Sequence, residues 1–141
     1  MDLNKLLKRI KEEEGFCAYS FWDDAKGGGG GQWTFGFGTA APGEGCFITE
    51  EQADSALREK VQQHVVDFRE IFKGYHMPSD KEDALLDMLY NLGESRFRKF
   101  KKLIAAVKKG DWPEAGKQVR NSIYYRQVTK RAEENAATLE A

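Results

Sequence analysis

The sequence predicts an α+β fold, with a small β-hairpin lobe and a larger helical lobe joined by a long helix. Three observations carry this. The chain opens on an amphipathic helix, glycine and aromatic residues alternate only in a short segment near the front, and from Thr49 onward apolar residues recur at helical spacing between capping signals. A chain of 141 residues forms one compact domain, or two small lobes sharing one core. Hydrophobic residues at 40% and charged residues at 32% support a packed core and exclude a disordered chain. The expected organisation is a single domain over 1–141. It has a β-containing lobe with a cleft over about 14–48, a connecting helix over about 49–72, and a helical lobe over 73–141 packed with helix 1–14.

In the first helix Leu3, Leu6, Leu7 and Ile10 share one face, and Gly15 is a natural stop. The glutamates before it are not equivalent. At about 100° per residue, Glu12 lies opposite the apolar stripe, Glu13 on its flank and Glu14 in its middle, four residues after Ile10. A carboxylate at the end of a buried stripe is unusual.

Residues 16–40 read as strands and turns. Phe16–Trp22 is aromatic-rich, Asp23–Gly31 is a turn, and the strand pattern resumes at Gln32. Trp33, Phe35 and Phe37 alternate with Thr34, Gly36 and Gly38. This predicts an aromatic, core-facing side and a nearly bare opposite side on which Thr34 is the only reactive group.

The remainder reads as helical. Thr49-Glu50-Glu51-Gln52 is a capping box opening a helix to about Phe72, with Ala53, Leu57, Val61, Val65, Phe68 and Phe72 inward. Such a helix, on the order of 35 Å long, suits a strut between lobes. Ser79-Asp80-Lys81-Glu82 is a second capping box, and Gly93 ends the helix it opens. Phe97, Phe100, Leu103, Ile104 and Val107 mark one more helix. Asp111-Trp112-Pro113-Glu114 starts another, carrying Val119 and Ile123, and the polar final stretch is helical.

Composition excludes several functions. Two cysteines, Cys17 and Cys46, and two histidines far apart give no metal-ligand spacing, so no metal or other cofactor is expected. The glycines Gly27–Gly31 lack the Gly-Lys-Ser/Thr of a phosphate loop. No apolar run approaches the roughly 20 residues that span a bilayer, so no stable membrane insertion is expected. The amphipathic N-terminal segment lacks a signal peptide's apolar core, which predicts synthesis in the cytoplasm. Residues 1–80 carry 9 basic and 14 acidic side chains, and residues 81–141 carry 13 and 9. An acidic half beside a basic half suits an enzyme holding an anionic polymer, and equally suits plain surface charge.

Glycoside hydrolysis needs a protonated acid near the leaving oxygen and a second carboxylate across the sugar. Burial and the negative end of the helix dipole both disfavour the charged form of a carboxyl at the position of Glu14. Asp23 and Asp24, just past a strand, could face it. A glutamate at a helix end is, by itself, more often a solvated charge.

The wider pattern changes that weighting. Glu14-Gly15, Phe21-Trp22-Asp23, Thr34-Phe35-Gly36-Phe37-Gly38 and Ile48-Thr49-Glu50-Glu51-Gln52-Ala53 together resemble the phage-type lysozymes of glycoside hydrolase family 24. In the helical half, Leu89–Gly93, Phe97, Gly110–Ala115, Ser122–Gln127 and Arg131-Ala132 agree, so the resemblance covers nearly the whole chain in order. It implies a lysozyme-like fold and an endolysin that cleaves the β-1,4 bond between N-acetylmuramic acid and N-acetylglucosamine with inversion. Position by position, Glu14 matches the family's general acid and Thr34 the threonine that helps hold the attacking water. Arg131 matches the arginine that pairs with the acid, and Gly38, Tyr90 and Gln118 fall where the family lines its substrate cleft. An ungapped count from Glu14 selects Asp23 as the second carboxylate, whereas an Asp-x-x-Gly anchor selects Asp24; Asp23 also keeps the aromatic-x-Asp pattern. The sequence departs from the family at Thr39, where histidine is common, in a turn lengthened by glycines, and in a short segment from Ala40 to Phe47. The resemblance further implies a monomer held in the host bacterial cytoplasm until a holin releases it to peptidoglycan in the periplasm.

The other conspicuous residues have simpler readings. Trp22, Trp33 and Trp112 suit core or cleft wall better than a cofactor box. Arg96, Arg98, Lys99, Lys101 and Lys102 lack the aromatic interleaving of a nucleic-acid binder, so no nucleic acid is expected; adhesion to an anionic wall and a solvated helix face both fit. His64 and His76 show no evident partners, and Tyr124 and Tyr125 read as packing residues, one of them in reach of Asn91. Two other classes stay open. A lytic transglycosylase shares the glutamate but needs no aspartate-held water, and a non-catalytic wall-binding module needs none of these groups.

Overall fold

The computed structural model describes residues 1–24 and 30–141. The middle of the expected Asp23–Gly31 turn, including Ala25, Lys26 and Gly27 of the Asp24-x-x-Gly anchor, lies outside those residues. Among the described residues, eight helices accompany one three-stranded antiparallel sheet of order β1-β2-β3, the α+β composition expected. The chain divides into two compact units, Leu3–Gln63 on one side and Met1–Asp2 with His64–Ala141 on the other, the boundary falling inside the longest helix.

In the unit Leu3–Gln63, α1 (Leu3–Glu14) buries Leu6, Leu7 and Ile10 as its spacing requires. After Gly15 the chain enters β1 (Cys17–Asp23), which pairs with β2 (Gln32–Gly36), and β2 pairs with β3 (Thr39–Ala40). Phe21 stands opposite Thr34, Trp22 opposite Trp33 and Asp23 opposite Gln32, with a register irregularity between Cys17 and Phe21. A segment not read as strand also joins β1. Tyr19 bridges Phe47, the Ser20 N–H donates to the Cys46 carbonyl (2.8 Å), and the Ile48 N–H donates to that of Ala18 (2.9 Å).

The two sides of β2 are the reverse of those the alternation predicts. Thr34 and Gly36 are buried, while Trp33 and Phe35 are half-buried. The cause is α2 (Glu50–Ile71). A Cβ added to Gly36 would sit 3.1 Å from the Ala53 Cβ, so the small-residue side is the one that can close on the helix. The φ of +61° at Gly36 then turns the chain and ends β2, so Phe37 leaves the alternating series. Its buried ring meets Phe16 at 5.6 Å between centroids and lies 5.5 Å from the Lys11 ammonium.

α2 begins at the expected capping box. The Gln52 N–H donates to the Thr49 Oγ1 (3.1 Å) and the Thr49 N–H to the Gln52 Oε1 (3.0 Å). Lys11 of α1 forms an ion pair with Asp54 of α2, and Arg58 donates to the same carboxylate at 2.8 Å. These two cations, Lys11 foremost, hold the Asp54 carboxyl below the usual carboxylate range.

The second unit comprises the end of α2 followed by α3 (Ser79–Leu92), α4 (Glu94–Arg98), α5 (Lys101–Lys108), α6 (Trp112–Arg120), α7 (Ile123–Gln127) and α8 (Thr129–Glu140). Phe68, Phe72, Leu85, Leu89, Phe97 and Leu103 are among its core. Three details differ from the sequence reading. Ser79 is already helical and caps nothing; Pro78 occupies the N-cap and its carbonyl receives the Lys81 and Glu82 N–H groups. The single helix expected over Phe97–Val107 is two, broken between Arg98 and Lys101, where Phe100 has a non-helical ψ of 60°. Ile123 is an exposed residue that opens α7 instead of extending α6. Asp111, by contrast, caps α6 as expected, accepting from the Glu114 N–H at 3.2 Å.

At Gly36 both the left-handed backbone and the contact with Ala53 oppose a side chain. Gly36→Ala is expected to lower stability by about 1–2 kcal/mol, which is on the order of 4–8 °C in thermal midpoint. Gly43→Ala, where an added methyl meets open space, serves as control. Equal midpoints for the two variants in a calorimetric scan would refute the close approach of β2 to α2.

Candidate active site

Glu14 is the last residue of α1 and is half-buried, whereas Glu12 and Glu13 are exposed. The phase of the apolar stripe explains the difference, and Arg9 pairs with Glu13 at 3.0 Å on the solvent side. Asp23 is the last residue of β1 and is half-buried; Asp24 lies in the following turn, exposed. One Asp24 oxygen accepts the Trp22 indole N–H at 2.7 Å. The two aspartates thus differ in setting, one carried by the ladder and one engaged by a neighbouring ring.

Residues directly opposite one another in an antiparallel pair share a face, and the faces alternate along each strand. Asp23, Gln32, Phe21 and Thr34 therefore occupy one face of the hairpin, and Trp22 and Trp33 the other. The two indoles pack edge-on with centroids 5.6 Å apart, and Trp22 is 50% exposed. Thr34 is 2% exposed, not on an open strand face, and its Oγ1 accepts from the Gln32 amide (Nε2) at 3.3 Å. Gln32 is the residue that reading the sequence missed. It faces Asp23 across the ladder and touches Thr34 two residues on. Its one sequence signal is its i−2 spacing from Thr34.

Gly38 is buried in the turn between β2 and β3. Glu14, Asp23, Thr34 and Gly38 all belong to the unit Leu3–Gln63; Tyr90, Gln118 and Arg131 belong to the other. Tyr90, on α3, is 2% exposed and sets its ring edge-on to His64 at 6.1 Å. Gln118, on α6, donates to Glu114 at 2.8 Å. His64 has a close neighbour that reading the sequence did not name: its Nδ1 lies 3.4 Å from the Asp67 carboxylate, both groups being buried. The i,i+3 spacing on α2 was the sequence signal for that pair.

Arg131, on α8, is held by Asp87 of α3. Its Nε donates to Oδ2 at 3.0 Å and its Nη2 to Oδ1 at 2.9 Å, a two-point contact with a carboxylate that is 0% exposed. The Asn135 amide donates to the same Oδ2 (2.8 Å) and lies 3.0 Å from the Tyr124 hydroxyl. Tyr124 thus meets Asn135, and Tyr125 donates to Glu133 (3.0 Å), in place of the Asn91 contact expected from sequence.

A small sheet thus presents a carboxylate and a threonine on one face, a helix ends in a half-buried glutamate, and a helical unit follows. The chain belongs to the phage lysozyme family, whose model matches residues 11–134. Its activity is accordingly that of a peptidoglycan-cleaving endolysin, and the α+β arrangement is the lysozyme-like fold. No curated protein matched the chain. Among the described residues, no helix is long and apolar enough to cross a membrane.

Removing the Asp87 carboxylate would leave a guanidinium and an amide in the interior without their shared acceptor. Asp87→Ala is expected to cost about 3–5 kcal/mol in urea denaturation. Asp87→Asn, which keeps an acceptor oxygen, should cost less. If the alanine variant unfolds at the wild-type urea concentration, Asp87 does not hold Arg131 in solution.

Proposed function

We propose that this enzyme is an inverting N-acetylmuramidase that cleaves the β-1,4 bond between N-acetylmuramic acid and N-acetylglucosamine. Glu14 is its general acid and Asp23 its general base. The observation that carries this reading is the shared hairpin face of Asp23, Gln32 and Thr34, in the unit that also contains Glu14. Glu14 donates a proton to the leaving glycosidic oxygen. Asp23 takes a proton from the water that attacks the anomeric carbon from the opposite side. The Thr34 hydroxyl orients that water, and the Gln32 amide fixes the hydroxyl as a positioning residue. An inverting pair needs a gap of roughly 6.5–9.5 Å to admit the water. The settings of the two aspartates favour Asp23, which the ladder carries opposite Gln32 and on the face of Thr34.

Arg131 is the proposed partner of the acid. Asp87 takes two donors of the guanidinium fork, which fixes the plane of that group. Gly38, Tyr90 and Gln118 are proposed to line the substrate cleft. The likeness to phage lysozymes supports, as part of the same proposal, a monomer kept in the bacterial cytoplasm until a holin admits it to the periplasmic wall.

Glu14→Gln keeps shape but cannot donate a proton, so wall clearing should fall by about 10²–10⁴ with the thermal midpoint maintained. Glu12→Gln and Glu13→Gln should be nearly silent. Asp23→Asn should cost far more activity than Asp24→Asn, and the reverse order would transfer the base to Asp24. Fresh product examined by NMR should carry the α anomer. A fresh β anomer would mean a covalent intermediate, and anhydro ends would mean a lytic transglycosylase.

A further inference from the structure

The strongest uncommitted surface lies in the helical unit, where Glu70 and Ile71 at the end of α2 face Arg98 and the outer side of α5. Together they form a shallow groove lined by Glu70, Ile71, Arg98, Lys101, Ile104 and Lys108, with Ala105 between. Residues 94–109 carry seven basic side chains and one acidic, Glu94. Charge of that density over two short helices asks for a partner.

The ion pairs do not consume it. Arg98 is committed to Glu94 (2.8 Å) and Glu70 (3.3 Å), the two carboxylates in the area. Lys99, Lys101, Lys102 and Lys109 have no carboxylate partner among the described residues, and all four are exposed. Lys108 places its ammonium 5.4 Å from the ring centre of Tyr75, itself 47% exposed.

The arrangement along α5 says what kind of partner fits. Lys101, Ile104, Ala105 and Lys108 stand at i, i+3, i+4 and i+7, so they form one stripe. Its ends are cationic and its middle is apolar, with Ile104 half-buried and Ala105 exposed, and Ile71 lines the same groove. A solvated helix face has no need of an apolar centre, and a carboxylate-rich glycan polymer would be held by the charges alone. A mainly cationic rim, in which Glu70 is paired with Arg98, an apolar floor, and an exposed tyrosine beside Lys108 match the headgroup zone of a bilayer. There the lysine ammoniums meet phosphate, while their stems, the tyrosine ring and the aliphatic floor meet the upper acyl region. We infer that this groove is a peripheral docking surface for anionic phospholipid, which holds the enzyme at a membrane surface without inserting it.

Each cation close to an anionic leaflet raises partitioning roughly fivefold. The intact chain is to be co-sedimented with vesicles of pure phosphatidylcholine, with vesicles of equal parts phosphatidylcholine and phosphatidylglycerol, and with purified peptidoglycan. Binding is expected to the anionic vesicles only among the two lipids, and to weaken as salt is raised. Lys101→Gln with Lys108→Gln should lower it roughly 25-fold, and Ile104→Ser should lower it further at unchanged charge. Both lysines are exposed, so the double variant tests the surface without disturbing the core. Three results would overturn the inference: no preference for anionic vesicles, equal binding by the double variant, or lysine-dependent binding to peptidoglycan with none to lipid. An unaffected Ile104→Ser variant would remove the apolar floor from the site and overturn it as well. Vesicle binding is read apart from glycan cleavage, so the failure of either leaves the other standing.

Discussion

The Asp87 carboxylate is the interaction on which the helical unit depends. It is wholly buried on α3 and accepts three hydrogen bonds from α8, two from Arg131 and one from Asn135. A carboxylate in that position is costly unless its oxygens are satisfied and its charge matched. Arg131 supplies the charge and Asn135 completes the oxygens, while Tyr124 extends the chain of contacts to α7. Three helices are thereby registered by directional bonds, which apolar packing alone would leave free to slide. The same network fixes the plane of the Arg131 guanidinium.

The sheet unit depends on a constraint of a different kind, the absence of side-chain volume. β2 comes close to α2 where Gly36 meets Ala53. That contact turns the Thr34 face inward and leaves the Trp33 side half-buried. Because Asp23 and Gln32 are paired across the same ladder, the orientation that buries Thr34 also places all three on one face. Lys11 ties α1 to α2 through Asp54 and lies over Phe37, so the helix that ends in Glu14 is anchored within the unit that carries the hairpin.

Much of the local setting of the proposed site residues was legible in the sequence because its signals are periodic. The stripe of Leu6, Leu7 and Ile10 distinguishes Glu14 from Glu12 and Glu13 by angle alone, and their burial follows that order. Thr49 and Gln52 form the capping box that their spacing announces. Gln32 was missed because cross-strand pairing depends on where a hairpin turns, and a turn of glycines does not mark its own register. His64 was underestimated although Asp67 stands one turn away, because the value of such a pair depends on its burial.

What the sequence determined by itself is the character and phase of the longer local elements: that α1, α2 and α3 are helices and β1 and β2 strands, where α1 stops, and which glutamate lies in the apolar stripe. It determined these because helix and strand periods are properties of consecutive residues. The tertiary structure alone decided which side of β2 is buried, that α4 and α5 are separate, that Asp87 holds Arg131, and that the lysines of α5 flank an apolar groove instead of neutralising carboxylates. Each of these turns on groups distant in sequence competing for the same space or the same charge. That competition is settled only by packing, where volume and unsatisfied polar atoms carry their full cost.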